Sequence, residues 1–252
     1  MTITAHTPGA TRPSPDSMRR TSLVAGILYL LTFVSIPTLF LYGPVREADF
    51  VLGAGSDTGV LLAAFSEVIV ALAGIGTAVV LFRVVRRQSE TAALGFVTAR
   101  VLEAALILVG VVSMLSILTL RHDVAGTAEA DPASLVTTGH TLVATYDWAF
   151  LLSQSLMPVF NALCLGYVLY RSGLVPRILP IVGLVGAPLL LASDLAIFFG
   201  VYDRSAPAAL LAALPIAAWE LSLGVYLTVK GFKPAAVAAL TSTDREPKLS
   251  PA

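Results

Sequence analysis

Charged residues inside long apolar runs are the positions at which this sequence could do chemistry. Arg100 and Glu103 open the run "TARVLEAALILVGVVSMLSILTL", and their spacing of three places both on one face of a helix. Both side chains are costly to bury in hydrocarbon. Counting back about 20 residues from Arg121 places Arg100 at the edge of a span, where its side chain can reach lipid headgroups. The alternative is that Arg100 turns inward and neutralises a buried acid, either Glu103 or Glu220.

Glu220 is the acid that is hardest to place at a membrane surface. It lies near the middle of the apolar run Leu210–Val229, where a glutamate costs a few kcal/mol on insertion scales. One interpretation is a structural contact with a neighbouring helix or with Arg100. The other is a group that binds a substrate or a proton.

Three further acids lie in their runs nearer the side of the membrane opposite to Arg100. They are Glu67, Asp147 and Asp194. Together they would form an acidic vestibule that attracts cations. Alternatively, each sits at the membrane surface and is solvated.

A polar pattern occupies the run 142–170, where Asp147, Gln154 and Asn161 recur every seven residues. Seven residues fall about 20° short of two helical turns, so the three side chains share a stripe. Pro158 predicts a kink between the last two. The stripe either forms hydrogen bonds between helices or lines a cavity. In the next run, the small residues Gly183, Gly186 and Ala187 would allow a neighbouring helix to approach closely.

The sequence carries no motif for a metal, a cofactor or a covalent reaction. It has three histidines and no H-E-x-x-H or P-loop pattern. The group His122, Asp123, His140 and Asp147 matches no local ligand spacing for a metal. Cys164 is the only cysteine. The net charge is zero, so the composition does not indicate binding to nucleic acid. No nucleophile, metal or base therefore points to an enzyme.

The elements that would position these residues are membrane-spanning helices. The chain of 252 residues is 56% hydrophobic and 13% charged, against about a quarter charged in soluble domains. Its apolar runs are long enough to span a bilayer and do not alternate as barrel strands do. The sequence predicts an all-α transmembrane bundle of six helices, with runs at 23–42, 59–82, 92–120, 142–170, 178–201 and 208–229.

Polar tails flank the predicted transmembrane domain of residues 19–230. Residues 1–18 are expected to be a disordered tail and residues 231–252 a loose one. Most of the 16 basic residues fall on one side of the predicted bundle, which places both termini in the cytoplasm. These residues are Arg12, Arg19, Arg20, Arg83, Arg86, Arg87, Arg171, Arg177, Lys230, Lys233, Arg245 and Lys248.

Four segments resemble a bacterial membrane family known as domain of unknown function 4386. They are "RRTSLVAGILYLLTFV" (19–34), "FVTARVLEAALIL" (96–108), "NALCLGYVLYRSGLVPRILPIVGLVGAPLLLASD" (161–194) and "WELSLGVYLTVKGFKP" (219–234). The resemblance implies a six-helix integral membrane protein of a bacterial plasma membrane. It implies no reaction and transfers no binding residue.

Two classes of function remain open. The first is a small transport protein, or an ion- or proton-coupled protein, for an unidentified ion or small molecule. It would use Glu220 in a polar cavity with Arg100, Glu103 and the stripe of Asp147, Gln154 and Asn161. The second is a non-catalytic membrane component, which is either a partner subunit or a structural or sensory protein. In it the same groups only hold helices together. In both, the lipid bilayer is the surrounding medium.

Overall fold

The computed structural model describes residues 15–123, 127 and 131–243, and every regular element in this part of the chain is helical. Short 3₁₀ turns follow α1 and α2, at Thr32–Ser35 and Pro44–Arg46, and a π-helical segment, Leu151–Leu156, joins α5 to α6. The α-helices are α1 Pro15–Leu31, α2 Thr38–Leu41, α3 Thr58–Val85, α4 Glu90–Asp123, α5 Pro132–Phe150, α6 Met157–Ser172, α7 Ile178–Phe198, α8 Pro207–Val229 and α9 Pro234–Thr243.

Five helical stretches in the described part are long and apolar enough to cross a membrane. They are α3, α4, the continuous stretch from α5 through α6, α7 and α8. The all-helical prediction is therefore confirmed, with five candidate spans where the sequence predicts six runs. The first run differs because its helix is broken near Pro37, which lacks the amide hydrogen that continues a helix. Around the break, Thr32 and Ser35 hydroxyls donate to carbonyls three residues earlier, which competes with helical bonding.

The ends of the chain are more helical than the sequence suggests. Helix α1 begins at Pro15, so residues 15–18 of the expected N-terminal tail are helical, and residues 1–14 lie outside the described part. Within residues 231–252, which are expected to be a loose tail, residues 244–252 lie outside the described part and residues 234–243 form α9. Its alanine-rich sequence "PAAVAALTST" begins with a proline, which is well tolerated in the first helical turn.

Six helices form a closed ring in the order α1, α3, α4, α6, α7, α8 and back to α1, and α5 packs against α4 beside this ring. Small residues permit the closest contacts. A Cβ atom on Gly183 would lie 2.5 Å from Cδ2 of Trp219, and one on Gly186 would lie 2.8 Å from Cβ of Pro215. The predicted close approach of a neighbour at these glycines is confirmed, and that neighbour is α8.

The stretch from α5 to α6 changes its winding just before Pro158, where the sequence predicts a kink. The irregularity takes the form of the π segment "LLSQSL", which contains Gln154 and Ser155. A π segment adds a residue to the turn and loosens the regular hydrogen bonding of the helix, and such segments are frequent at functional sites. Here it turns the side chains of Gln154 and Ser155 toward the interior of the ring.

Candidate functional site

Arg100 lies inside the ring and pairs with two glutamates. Its Nη1 is 3.1 Å from Oε2 of Glu103 on the same helix, and its Nη2 is 2.8 Å from Oε1 of Glu220 on α8. The side chains of the three residues are 2%, 9% and 14% exposed, respectively. The alternative in which Arg100 reaches outward to headgroups is therefore wrong, because its guanidinium is enclosed by protein.

The helices bring these groups to one level. Arg100 lies ten residues after the start of α4, Asn161 eleven before the end of α6, and Glu220 nine before the end of α8. At about 1.5 Å per residue, each lies about 13–17 Å from its helix end. Counting back from Arg121 misplaces Arg100 because α4 has 34 residues, more than a bilayer requires, so one flanking charge does not fix depth.

Neighbouring groups hold the charges in place. The amide of Asn161 donates to Oε2 of Glu103 at 2.6 Å. The guanidinium carbon of Arg100 lies 5.2 Å from the ring centre of Tyr29 and 5.8 Å from that of Phe96, distances at which aromatic faces attract cations. Gly74 of α3 lies beside the arginine, and a Cβ there would make an ordinary contact of 3.8 Å with Cδ of Arg100. Neither aromatic residue is predicted from the sequence, in which each is one apolar residue among many.

A cavity of about 190 Å³ adjoins the charged triad, which we define as Arg100, Glu103 and Glu220. All three triad residues line it. Its other polar lining comes from the broken end of α1 and from the π segment, and its remaining walls are mainly apolar. The polar residues outside the triad are Thr32, Ser35, Gln154 and Ser155, and the apolar ones include Phe33, Ile36, Val70, Leu190 and Ile216.

Glu67 on α3 is fully buried and lies behind the cavity lining. Its carboxylate accepts hydrogen bonds from the hydroxyls of Tyr42 and Tyr146, at 3.3 and 2.9 Å. It also accepts one from Nε2 of Gln154, at 3.1 Å. The expectation that Glu67 is solvated at a surface is therefore wrong. Its tyrosine partners come from distant segments, and only the fold brings them together.

Asp194 on α7 is buried in a similar way. It is 4% exposed, and its Oδ1 accepts a hydrogen bond from Oγ of Ser155 at 2.6 Å. Its Oδ2 is buried without a hydrogen-bond partner in the described structure. Asp194 is therefore not a solvated residue either, and it does not meet Glu67 and Asp147 in one open vestibule. Ser155 connects it to the cavity instead.

Asp147 lies apart from the cavity, near the C-terminal end of α5, where it pairs with two arginines. Arg46 contacts both of its carboxylate oxygens, at 2.8 and 2.6 Å, and Arg204 contacts Oδ1 at 3.0 Å. Hydrogen bonding to Asp147 raises the pKa of Arg46, whereas burial lowers the pKa of Arg204. The three residues of the predicted stripe therefore have different partners. Asp147 pairs with two arginines, Gln154 donates to Glu67, and Asn161 donates to Glu103.

The same side of the bundle holds a second polar cluster, around Arg121. The Arg121 guanidinium donates to carbonyls of residues 50 and 53–55 and lies 3.3 Å from Oδ1 of Asp57. His122 contacts the other oxygen of Asp57 at 2.6 Å. Within the described residues, no three histidine, cysteine, aspartate or glutamate side chains come together as a metal site.

These features define an all-helical membrane protein in which the charged triad lines a partly open cavity between the helices. The chain belongs to the family described as domain of unknown function 4386 (DUF4386), whose model matches residues 24–231. The resemblance drawn from the four sequence segments is confirmed. No curated protein and no solved structure matches the chain.

Proposed function

We propose that this chain is a small transport protein, or an ion- or proton-coupled protein, that works through the cavity beside Glu220. Glu220, Arg100 and Glu103 form the charged part of the cavity, and Gln154 contributes to its lining. Asn161, Glu67 and Asp194 act from behind, by holding lining groups in place. Asp147 serves at the bundle end and not in the cavity.

The observation that carries this proposal is the exposure of a buried ion cluster to a cavity. A purely structural ion pair gains most when both partners are enclosed and all their hydrogen bonds are made. Here Glu220 uses Oε1 for Arg100 and is the most exposed member of the triad. Ionisable residues within membrane helices commonly mark substrate, ion or proton pathways.

We also propose six passes through a bacterial plasma membrane, with both termini cytoplasmic. Two contacts support a crossing by the broken first run. Arg19 donates to the carbonyls of Leu227 and Thr228 at the end of α8, and Tyr42 contacts Glu67, nine residues from the start of α3. Residues 19–42 therefore extend from one end of the bundle toward the other.

The test is proton flux in liposomes that contain the purified protein and an internal pH indicator. We expect the wild-type chain to dissipate an imposed pH gradient and Glu220→Gln to slow this by at least about tenfold, or about 1.4 kcal/mol of activation free energy. The substitution keeps the shape of the side chain and removes its exchangeable charge. Glu90→Gln is the matched control, because Glu90 is exposed at the start of α4.

Two results would overturn the transport proposal. One is a wild-type protein that leaves the gradient untouched whichever inorganic or organic cation is supplied. The other is a Glu220→Gln variant that folds normally and conducts protons at the wild-type rate. Thermal unfolding of each variant in detergent separates loss of flux from loss of fold.

The second candidate is a membrane component in which the polar groups only join helices. The bridge formed by Arg100 between α4 and α8 favours it, since the guanidinium is 2% exposed and contacts a carboxylate on each helix. In that case Glu220→Gln lowers stability, and neither form moves protons. The chain would then act with a protein partner in the bilayer.

A further inference from the structure

We propose that the cavity binds a small organic monocation, of the primary ammonium class, in exchange for a proton shared by the carboxyl groups of Glu103 and Glu220. This inference rests on the proposed transport function and gives it a substrate class. Three independent properties of the cavity support it: its charge, the orientation of its polar lining and its size.

The charge of the cavity is unbalanced. Within the described residues, the carboxylates of Glu103 and Glu220 both pair with the single cation Arg100. When both carboxylates are ionised, the triad carries one excess negative charge inside the protein. An isolated buried charge is strongly unfavourable, so a proton or a bound cation has to balance it. Glu220 lines the cavity and is the most exposed member of the triad.

The polar lining presents acceptor atoms to a ligand. The Nε2 of Gln154 donates to Glu67, and this fixes the amide so that its carbonyl oxygen is left as an acceptor. The Oγ of Ser155 donates its one proton to Asp194, which leaves only its lone pairs for other groups. A buried acid behind each lining residue thus selects a ligand that donates hydrogen bonds. A primary ammonium has three donors and no acceptor, as this arrangement requires.

The size and walls of the cavity argue for an organic cation over a bare ion. A cavity of about 150 Å³ accommodates benzene, so about 190 Å³ suits a compact molecule of about eight non-hydrogen atoms. Phe33, Val70 and Leu190 offer an apolar surface to its carbon skeleton. A bare metal ion would use only the oxygen atoms of the polar lining and would leave this apolar surface without a contact.

The exchange balances in charge and atoms. When one carboxyl group of the triad holds a proton, the triad is neutral; when the ammonium enters, that proton leaves to water and the ammonium pairs with the carboxylate of Glu220. No bond of the ligand forms or breaks. The charged and titratable groups that face Glu220 are Arg100 and Glu103 from α4 and Tyr29 from α1, and Asp194 of α7 lies behind Ser155.

The experiment measures binding to purified wild-type protein by calorimetry, with three aromatic probes of similar shape. Benzylamine carries a positive charge, benzyl alcohol none and benzoate a negative one. We expect benzylamine to bind with release of about one proton, and the other two probes to bind at least tenfold more weakly. Glu220→Gln should weaken benzylamine binding at least tenfold, and Ser155→Ala about threefold. Glu90→Gln should leave it unchanged.

The outcomes separate this inference from the transport proposal. Binding of benzyl alcohol as tight as that of benzylamine would overturn the cation assignment, and so would undiminished binding to folded Glu220→Gln. If no probe binds while Glu220 still supports proton flux in liposomes, the organic cation is wrong and the proton-coupled function stands. If benzylamine binds and accelerates proton flux only when Glu220 is present, both are supported.

Discussion

At the scale of single residues, Arg100 is the group on which the site depends. It compensates two carboxylates on different helices, and both its nitrogens Nη1 and Nη2 are used. Removing one partner of a buried ion pair is far more harmful than replacing the whole group by apolar residues, because it leaves charge without compensation. In this triad, loss of the arginine would leave two buried acids and no cation.

We therefore expect Arg100→Met to destabilise the protein by about 3–5 kcal/mol, measured by unfolding in detergent. The triple variant Arg100→Met, Glu103→Gln, Glu220→Gln should recover part of this loss, because it removes the uncompensated charges as well. Arg83→Met is the control, since Arg83 is exposed on α3 and should change stability little. If the Arg100→Met variant is as stable as the wild type, the triad contributes nothing to the stability of the fold.

The sequence predicts part of this chemistry from its residue types alone. The cost of burying Arg100, Glu103 and Glu220 identifies them as a set, and Arg100 with Glu220 is one of the pairings that the sequence suggests. Ser155 and the ring of Tyr29 are missed because neither residue is costly in an apolar helix. Their importance arises only from which neighbours the fold gives them.

At the scale of elements, glycines in α7 set the position of Glu220. Trp219 packs directly over Gly183, and Glu220 is the next residue along α8. Any change that separates these helices moves the glutamate relative to Arg100. The short pattern of small residues in α7 is visible in the sequence. The helix that it contacts is not, because several apolar runs could pack there equally well.

Gly183→Ala should therefore disturb both stability and function. Its Cβ would lie 2.5 Å from Trp219, so we expect a cost of about 1–3 kcal/mol and a slower Glu220-dependent proton flux. Gly139→Ala is the matched control. Its Cβ would lie 3.6 Å from Val51, an ordinary contact, and alanine favours a helix by up to about 1 kcal/mol over glycine. Equal behaviour of the two variants would mean that the α7–α8 contact is loose.

The broken elements are where prediction from sequence is weakest. Hydropathy identifies the helices because a membrane requires long apolar segments whatever their detailed sequence. It does not identify where a helix changes winding, since proline allows a kink, a break or a π segment. In this chain Pro37 coincides with a break and Pro158 with a π segment, and both irregular segments supply polar residues to the cavity.

At the scale of the whole molecule, charge is distributed unequally between the two ends of the bundle. At one end, Arg46 and Arg204 pair with Asp147, and Arg121 pairs with Asp57. The other end carries most of the basic residues of the described part, among them Arg83, Arg86 and Arg177. The cytoplasmic side of a membrane protein has the excess of lysine and arginine. The arginines at the opposite end are held by acids and carbonyl groups.

This distribution predicts which loops face the cytoplasm, and the number of passes decides the position of the N-terminus. If residues 19–42 cross the membrane, the N-terminal segment lies on the same side as Gln88. If they do not, it lies on the side of Asp57 and Asp203. We expect single cysteines at Thr7 and Gln88, in a Cys164→Ala background, to react with an impermeant maleimide only after cells are permeabilised. Cysteines at Asp57 and Asp203 should react in intact cells, and labelling of Thr7 in intact cells would rule out six passes.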